Sequence, residues 1–221
     1  MKKLRTIFFI IGGFFLISYF ISFVTTLFVD TTFVPGDARR FDPVGSFAEI
    51  RRYAGDGVEL LSLEAECVRS DGTIDLKADY VRAAMVPVKY HFVQKLTRPP
   101  EEAPPIGAGG SPDGSWYQPI NIDVSTPWRS WAVQRQRGTA RTNYVYMNLG
   151  MKRDLLSVEG GLPSPVIPPP ACPFDALWRI ALQQGASKEA VAEIDYKPDG
   201  YHFSIPDTST RLHFGLDCQL R

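Results

Sequence analysis

The chain has 221 residues, with 24 lysines and arginines against 24 aspartates and glutamates, and 44% of it is hydrophobic. That balance lacks the basic signature of a nucleic-acid binder, and the length allows one domain of moderate size or two small ones. Three cysteines (Cys67, Cys172 and Cys218) leave room for one disulfide and one spare thiol, and no Asn-x-Ser/Thr sequon points to a glycosylated surface.

Lys2, Lys3 and Arg5 precede Ile7–Val29, a charge-free run of 23 residues that includes seven phenylalanines, and Asp30 follows it. A hydrocarbon core about 30 Å thick needs roughly 20 helical residues, so residues 1–29 are expected to form a cytoplasmic tip and an uncleaved transmembrane anchor. A cleaved signal peptide would have a shorter apolar core and a small-x-small site, which Thr31-Thr32-Phe33-Val34-Pro35 does not offer. The basic flank orients the N-terminus to the cytoplasm. The expectation is a single-pass protein of the cell inner membrane with its main domain periplasmic or extracellular. That outer part carries 21 basic residues against 24 acidic ones and is mildly acidic. Ser18, Ser22 and Thr26 recur every four residues, a spacing that lets helices approach closely in lipid; hydroxyls bonded back to the i−4 carbonyl are the alternative.

After a stem over residues 30–41, a pattern begins that the chain later repeats. In residues 42–96, Pro43 opens a helical stripe of Val44, Phe47, Ile50 and Ala54, and Gly55 closes it. Leu61, Leu63, Ala65 and Cys67 then alternate as a strand, and Asp71-Gly72 is a hairpin signal. Ile74, Leu76, Ala78 and Tyr80 return; Val86, Val88, Tyr90 and Phe92 form a third strand, with Pro87 hinting at a sheet edge. In residues 172–221, Pro173 opens a stripe of Phe174, Leu177, Trp178 and Ala181, and Gly185 closes it at the same spacing. Ala192, Ile194 and Tyr196 alternate, Asp199-Gly200 turns the chain, Tyr201, Phe203 and Ile205 return, and Leu212, Phe214, Leu216 and Cys218 finish. The inward parity relative to the two Asp-Gly turns differs by one residue, so the hairpins must differ in turn or register. The expected fold is α+β: a transmembrane helix, then a duplicated helix–three-strand antiparallel unit with both helices on one face of a mainly antiparallel sheet.

Between the copies, residues 97–171 form a β-rich insert. Residues 97–120 are too rich in proline and glycine to pack a core and read as an extended loop. Gly107-Ala108-Gly109-Gly110 lacks the flanking strand and helix of a phosphate loop. Ile122 with Val124, Trp131 with Val133, and Tyr144 with Tyr146 suggest two or three further strands. No acidic residue lies between Asp123 and Asp154, while Arg129, Arg135, Arg137, Arg141, Lys152 and Arg153 supply six positive charges. Trp128, Trp131, Tyr144 and Tyr146 are interleaved with them. Arginine with tryptophan and tyrosine is the makeup of interface hot spots and of membrane-interface belts. Trp128, Arg129, Trp131, Arg135, Arg137, Arg141, Tyr144 and Tyr146 are therefore the candidate partner-binding face, for an integral-membrane partner or anionic headgroups. A solvated strand with its aromatics turned inward is the plainer alternative. Pro168-Pro169-Pro170 should be stiff polyproline II leading into the second copy.

Chemistry is sparse. In the duplicated layout Cys172 begins the second helix and Cys218 ends the last strand, so Cys172–Cys218 is the expected disulfide; closing that loop stabilises by roughly 4 kcal/mol on the loop-entropy account. Cys67 is left as a buried thiol with nothing in sequence to activate it. His202 and His213 fall on neighbouring strands, but with no third ligand at suitable spacing no metal site is assigned. Glu64 and Glu66 share one strand face, as solvated carboxylates do, and Asp71 with Asp75 lacks the other ligands of a calcium loop. No catalytic motif is present, so neither an enzyme nor a cofactor is expected. The leading expectation is a membrane-anchored, outward-facing accessory or structural subunit that binds and stabilises a larger membrane complex. The alternative is a ligand-binding or sensory ectodomain for peptides, lipids or cell-wall fragments, with a cleft between the units lined by Tyr80, Tyr90 or Tyr201.

Overall fold

The computed structural model describes residues 12–14, 16, 17, 20, 30–83, 86–97, 114–126, 128–132 and 144–221. Their strands are β1 (Thr31–Phe33), β2 (Val58–Val68), β3 (Val88–Leu96), β4 (Trp116–Val124), β5 (Trp128–Ala132), β6 (Tyr144–Asn148), β7 (Gly150–Leu155), β8 (Glu159–Gly160), β9 (Ala192–Lys197), β10 (Gly200–Ser204) and β11 (Arg211–Phe214). The helices that follow residue 30 are α1 (Phe47–Ala54), α2 (Asp79–Ala83) and α3 (Phe174–Gln183). Nine strands build one antiparallel sheet in the order β1-β7-β4-β3-β2-β9-β10-β11, with β8 paired to β4 off that path; among the described residues β5 and β6 pair with each other in a second, two-stranded sheet.

This architecture replaces the expected duplicated α+β fold. The middle strand of the first unit is missing. Asp71 Oδ1 accepts hydrogen bonds from the Thr73 amide and hydroxyl, and Asp75 Oδ1 accepts one from the Lys77 amide. These side-chain turns divert the chain away from β2. Ile74 pairs instead with Phe41, and the Leu76 amide donates to the Ala38 carbonyl at 2.9 Å. Ile74 and Leu76 are still fully buried, which explains why they alternate without belonging to the sheet. The edge of β2 that a return strand would occupy is taken by β9, through Leu63↔Tyr196 and Ala65↔Ile194.

The supposed insert supplies much of the sheet. Ile120, Ile122 and Val124 of β4 are fully buried, and β4 pairs with β3 along its whole length. β3 is consequently an interior strand; Pro87 precedes it and marks no edge. The stem is likewise part of the structure: β1 pairs with β7, Tyr53 Oη donates to Asp30 at 2.8 Å, and Arg153 Nη1 lies 3.2 Å from the same carboxylate. Burial, then the Asp30 carboxylate, pushes the Tyr53 hydroxyl well above its ordinary pKa.

No helix among the described residues is long and apolar enough to cross a membrane. Most of Ile7–Val29, with Ser18, Ser22 and Thr26, lies outside the described residues. Gly12, Gly13, Phe14, Leu16, Ile17 and Phe20 are helical.

Both longer helices pack on the same side of the sheet. Phe47 of α1 sits 6.4 Å from Tyr90 and 6.0 Å from Phe92, and Trp178 of α3 meets Phe203 edge-on at 5.0 Å. Tyr196 stacks on Tyr201 at 4.3 Å beneath them. Each such aromatic pair adds about 0.5–1.5 kcal/mol beyond its burial. One core cluster runs from Phe41 to Phe214, so the two halves share a single interior. Cys172 and Cys218 are bonded as expected, with Cα atoms 5.6 Å apart.

Candidate functional site

With apolar side chains turned to the helices, the alternate strand positions collect on the opposite face. One row can be followed in register across seven strands: Lys152, Asp123, Lys89, Glu64, Asp195, His202 and His213. Opposite charges across neighbouring strands stabilise such a row. The sign alternates from Lys152 to Glu64, and then Glu64 meets Asp195. Lys197 Nζ sits 2.7 Å from Asp195 and offsets that like-charge contact. His91, one step off the row, has Nε2 3.6 Å from Glu64 and Nδ1 2.9 Å from Asn121 Oδ1. Burial raises the pKa of Asp123, and the neighbouring Lys89 only partly opposes it.

The row ends in a cluster of ligand-type side chains. His202 and His213 are directly opposed in register, with ring centroids 4.5 Å apart and planes inclined by 20°. Asp199, in the turn between β9 and β10, places Oδ1 and Oδ2 at 3.0 and 2.9 Å from His202 Nε2. Its Oδ2 is 3.7 Å from His213 Nε2, and its carbonyl oxygen is 3.2 Å from the same nitrogen. The His202 hydrogen bond, outweighing a small burial effect, holds the Asp199 carboxyl below its ordinary pKa. Asp199 thus stands as a third ligand-type side chain beside the two histidines. Its signal was available: a two-residue turn at Pro198-Asp199 sets His202 three positions after Asp199, and counting register back from the next turn brings His213 opposite. In the sequence Asp199 is marked by Gly200 as a turn residue.

The basic aromatic segment forms a ribbon. The Ser125 amide donates to the Gly150 carbonyl at 2.8 Å, and the β4–β7 pairing continues, offset by one residue, into β5–β6. Trp128, Arg129 and Trp131 lie on β5, paired with Asn148, Met147 and Val145; Tyr144 and Tyr146 lie on β6, paired with Ala132 and Ser130. The two strands form a separate two-stranded sheet. Arg135, Arg137 and Arg141 lie outside the described residues.

The tyrosines named for a cleft have other roles. Tyr90 is fully buried and donates to the Pro43 carbonyl at 2.6 Å. Tyr201 is also buried, and its hydroxyl oxygen accepts from the Ala171 and Cys172 amides at 3.1 and 3.2 Å. Tyr80 is exposed. A shallow hollow of about 280 Å³ lies elsewhere, between Phe47, Arg51, Leu60 and Ile167–Pro169. Cys67 is half-buried in a bulge of β2 with φ +59°; burial first, then Glu66 and Glu193, pushes its thiol pKa up, the opposite of what activates a thiolate. Comparison with known proteins finds no matching family model, no matching curated protein and no matching solved structure.

Proposed function

We propose that the protein is a non-enzymatic accessory subunit, held at a membrane by its apolar N-terminal stretch and presenting the β5–β6 ribbon to an integral-membrane partner on the outer side. The ribbon carries the reading. An isolated two-stranded ribbon is marginal in water, and this one concentrates Trp128, Arg129, Trp131, Tyr144 and Tyr146, the residue types that anchor interfaces. A partner surface is the cover that such a ribbon and such side chains suit. Two further observations support the setting. Phe14, Leu16, Ile17 and Phe20 are helical and each more than 60% exposed, which calls for an apolar environment. A structural disulfide such as Cys172–Cys218 is favoured by an oxidising compartment such as a periplasm or cell exterior, which supports an outward-facing domain.

The test is mild-detergent extraction of the tagged full-length protein, followed by mass spectrometry of what remains bound. The expected result is a stoichiometric integral-membrane partner that is lost in a Trp131→Ala/Arg129→Glu variant with an unchanged circular dichroism spectrum. A stable monomer with nothing attached would overturn the reading.

A further inference from the structure

We propose that Asp199, His202 and His213 form a binding site for one divalent transition ion of the zinc class. Two imidazoles with one carboxylate are a donor set suited to such ions, and three protein ligands leave a position for water or for a donor from another molecule. The inference stands independently of the ribbon, because β10 lies four strands away from β4 in the sheet.

The distances favour it. A four-coordinate ion with ligand bonds of about 2.0–2.2 Å holds its donor atoms roughly 3.2–3.5 Å apart. Here the donor atoms of all three residues lie within 4.8 Å of one another, and the contacts from Asp199 to the two rings are 2.9 and 3.7 Å, one on each side of that spacing. Small side-chain rotations suffice. Each ring turns Nε2 toward the carboxylate, so Nε2 is the atom that would ligate; an arriving ion takes the place of the Nε2 proton facing Asp199, and Nδ1 then keeps the remaining ring proton.

The frame beneath these side chains is stiff. His202 and His213 are fixed by direct strand pairing. The turn that carries Asp199 is pressed against β11 at Gly200, where an added Cβ would collide with the Phe214 carbonyl. The C-terminus locks β11 from beyond: the Arg221 amide donates to the His213 carbonyl at 2.9 Å, and the disulfide at Cys218 follows. Preorganised donors lose little freedom when an ion arrives. Around the site, Asp195 pairs with His202 in register and Glu64 lies one strand further, so the local carboxylates favour a cation.

The chain has three histidines, and His91, on the same face beside Glu64, is an internal control. Zinc chloride is titrated into the metal-stripped full-length protein, with calorimetry for stoichiometry and imidazole ¹H–¹⁵N spectra to identify the rings. The expected result is one equivalent bound, with the His202 and His213 resonances moving and those of His91 staying in place. His202→Ala, His213→Ala and Asp199→Asn should each weaken binding at least about tenfold, while His91→Ala leaves it unchanged. Asp199 is exposed and both histidines are partly exposed, and unchanged metal-free melting curves show that the variants remain folded. No binding, binding insensitive to these substitutions, or binding that depends on His91 would each overturn the proposal.

Discussion

Residues 42–96 and 172–221 carry nearly the same pattern, yet only the second folds as a helix followed by a three-stranded meander. The two Asp-Gly turns show why. At Asp199-Gly200 the pair Lys197↔Gly200 brackets a two-residue loop, and β10 begins at the glycine itself. At Asp71-Gly72 the carboxylate is engaged locally by Thr73, and the Arg69 amide donates to the Thr73 carbonyl at 2.9 Å. The chain leaves that turn facing the stem rather than β2. A turn signal thus sets a reversal, while the polar residues beside it decide which strand is met. The lost return strand is also what opens β2 to β9 and makes one sheet of two halves.

The largest effect that can break this comparison is expected at Trp178. It is fully buried on α3 against Phe203, and Trp178→Ala should cost about 3–5 kcal/mol. Because the core is shared, urea denaturation should show one cooperative transition shifted for the whole molecule. Two transitions with only one displaced would mean that the halves fold independently. Next in size is the disulfide, whose counterpart positions Asp42 and Leu96 carry no cysteine. A Cys172→Ser/Cys218→Ser variant should lose about 4 kcal/mol on the loop-entropy account, read as a lowered urea midpoint. A loss below 1 kcal/mol would show that the C-terminal hook holds β11 without it.

The two turn glycines sharpen the comparison at a smaller scale. Gly200 has φ +130° and backs onto the Phe214 backbone; Gly72 has φ +78°, and an added Cβ would lie 2.5 Å from the Asp175 amide nitrogen. Alanine at either should cost at least about 2 kcal/mol by thermal denaturation. Gly72 is the more informative, since it joins the first half's turn to the start of the second half's helix. A neutral Gly72→Ala would show that this contact is not formed.

How far the sequence could be read follows the same division. Local signals were legible: the apolar stripes Phe47/Ile50/Ala54 and Phe174/Leu177/Trp178 became helices, and Cys172 found Cys218. Alternation at Ile74 and Leu76 was misleading because burial of every second residue does not require a strand partner. The membership of β4 and β7 in the main sheet was illegible, since pairing across sequence gaps is encoded in mutual fit and not in either strand alone. Asp199 was overlooked for a related reason: its partners meet it only once β10 and β11 are placed in register.

The smallest effect distinguishes two aspartates of opposite sign. At Asp71, burial raises the pKa, but the two Thr73 hydrogen bonds and the nearby Arg69 and Arg40 outweigh it and leave the carboxyl below its ordinary value. Its folded pKa is depressed, so its contribution is complete above the unfolded value of about 4 and disappears as the pH falls through the folded one. Asp123 shows the reverse. Burial holds its folded pKa up, so stability declines as the pH rises from about 4 toward the raised value and is flat beyond it. Asp71→Ala should therefore flatten the acid limb of a stability–pH curve and lower the plateau by under about 1 kcal/mol, as befits a half-exposed group. Asp123→Asn should remove the opposing slope and leave neutral-pH stability equal or slightly higher. Urea midpoints taken from pH 3 to 7 read both. Parallel curves for the two variants would mean that the turn at Asp71 and the row at Asp123 do not differ electrostatically as their surroundings require.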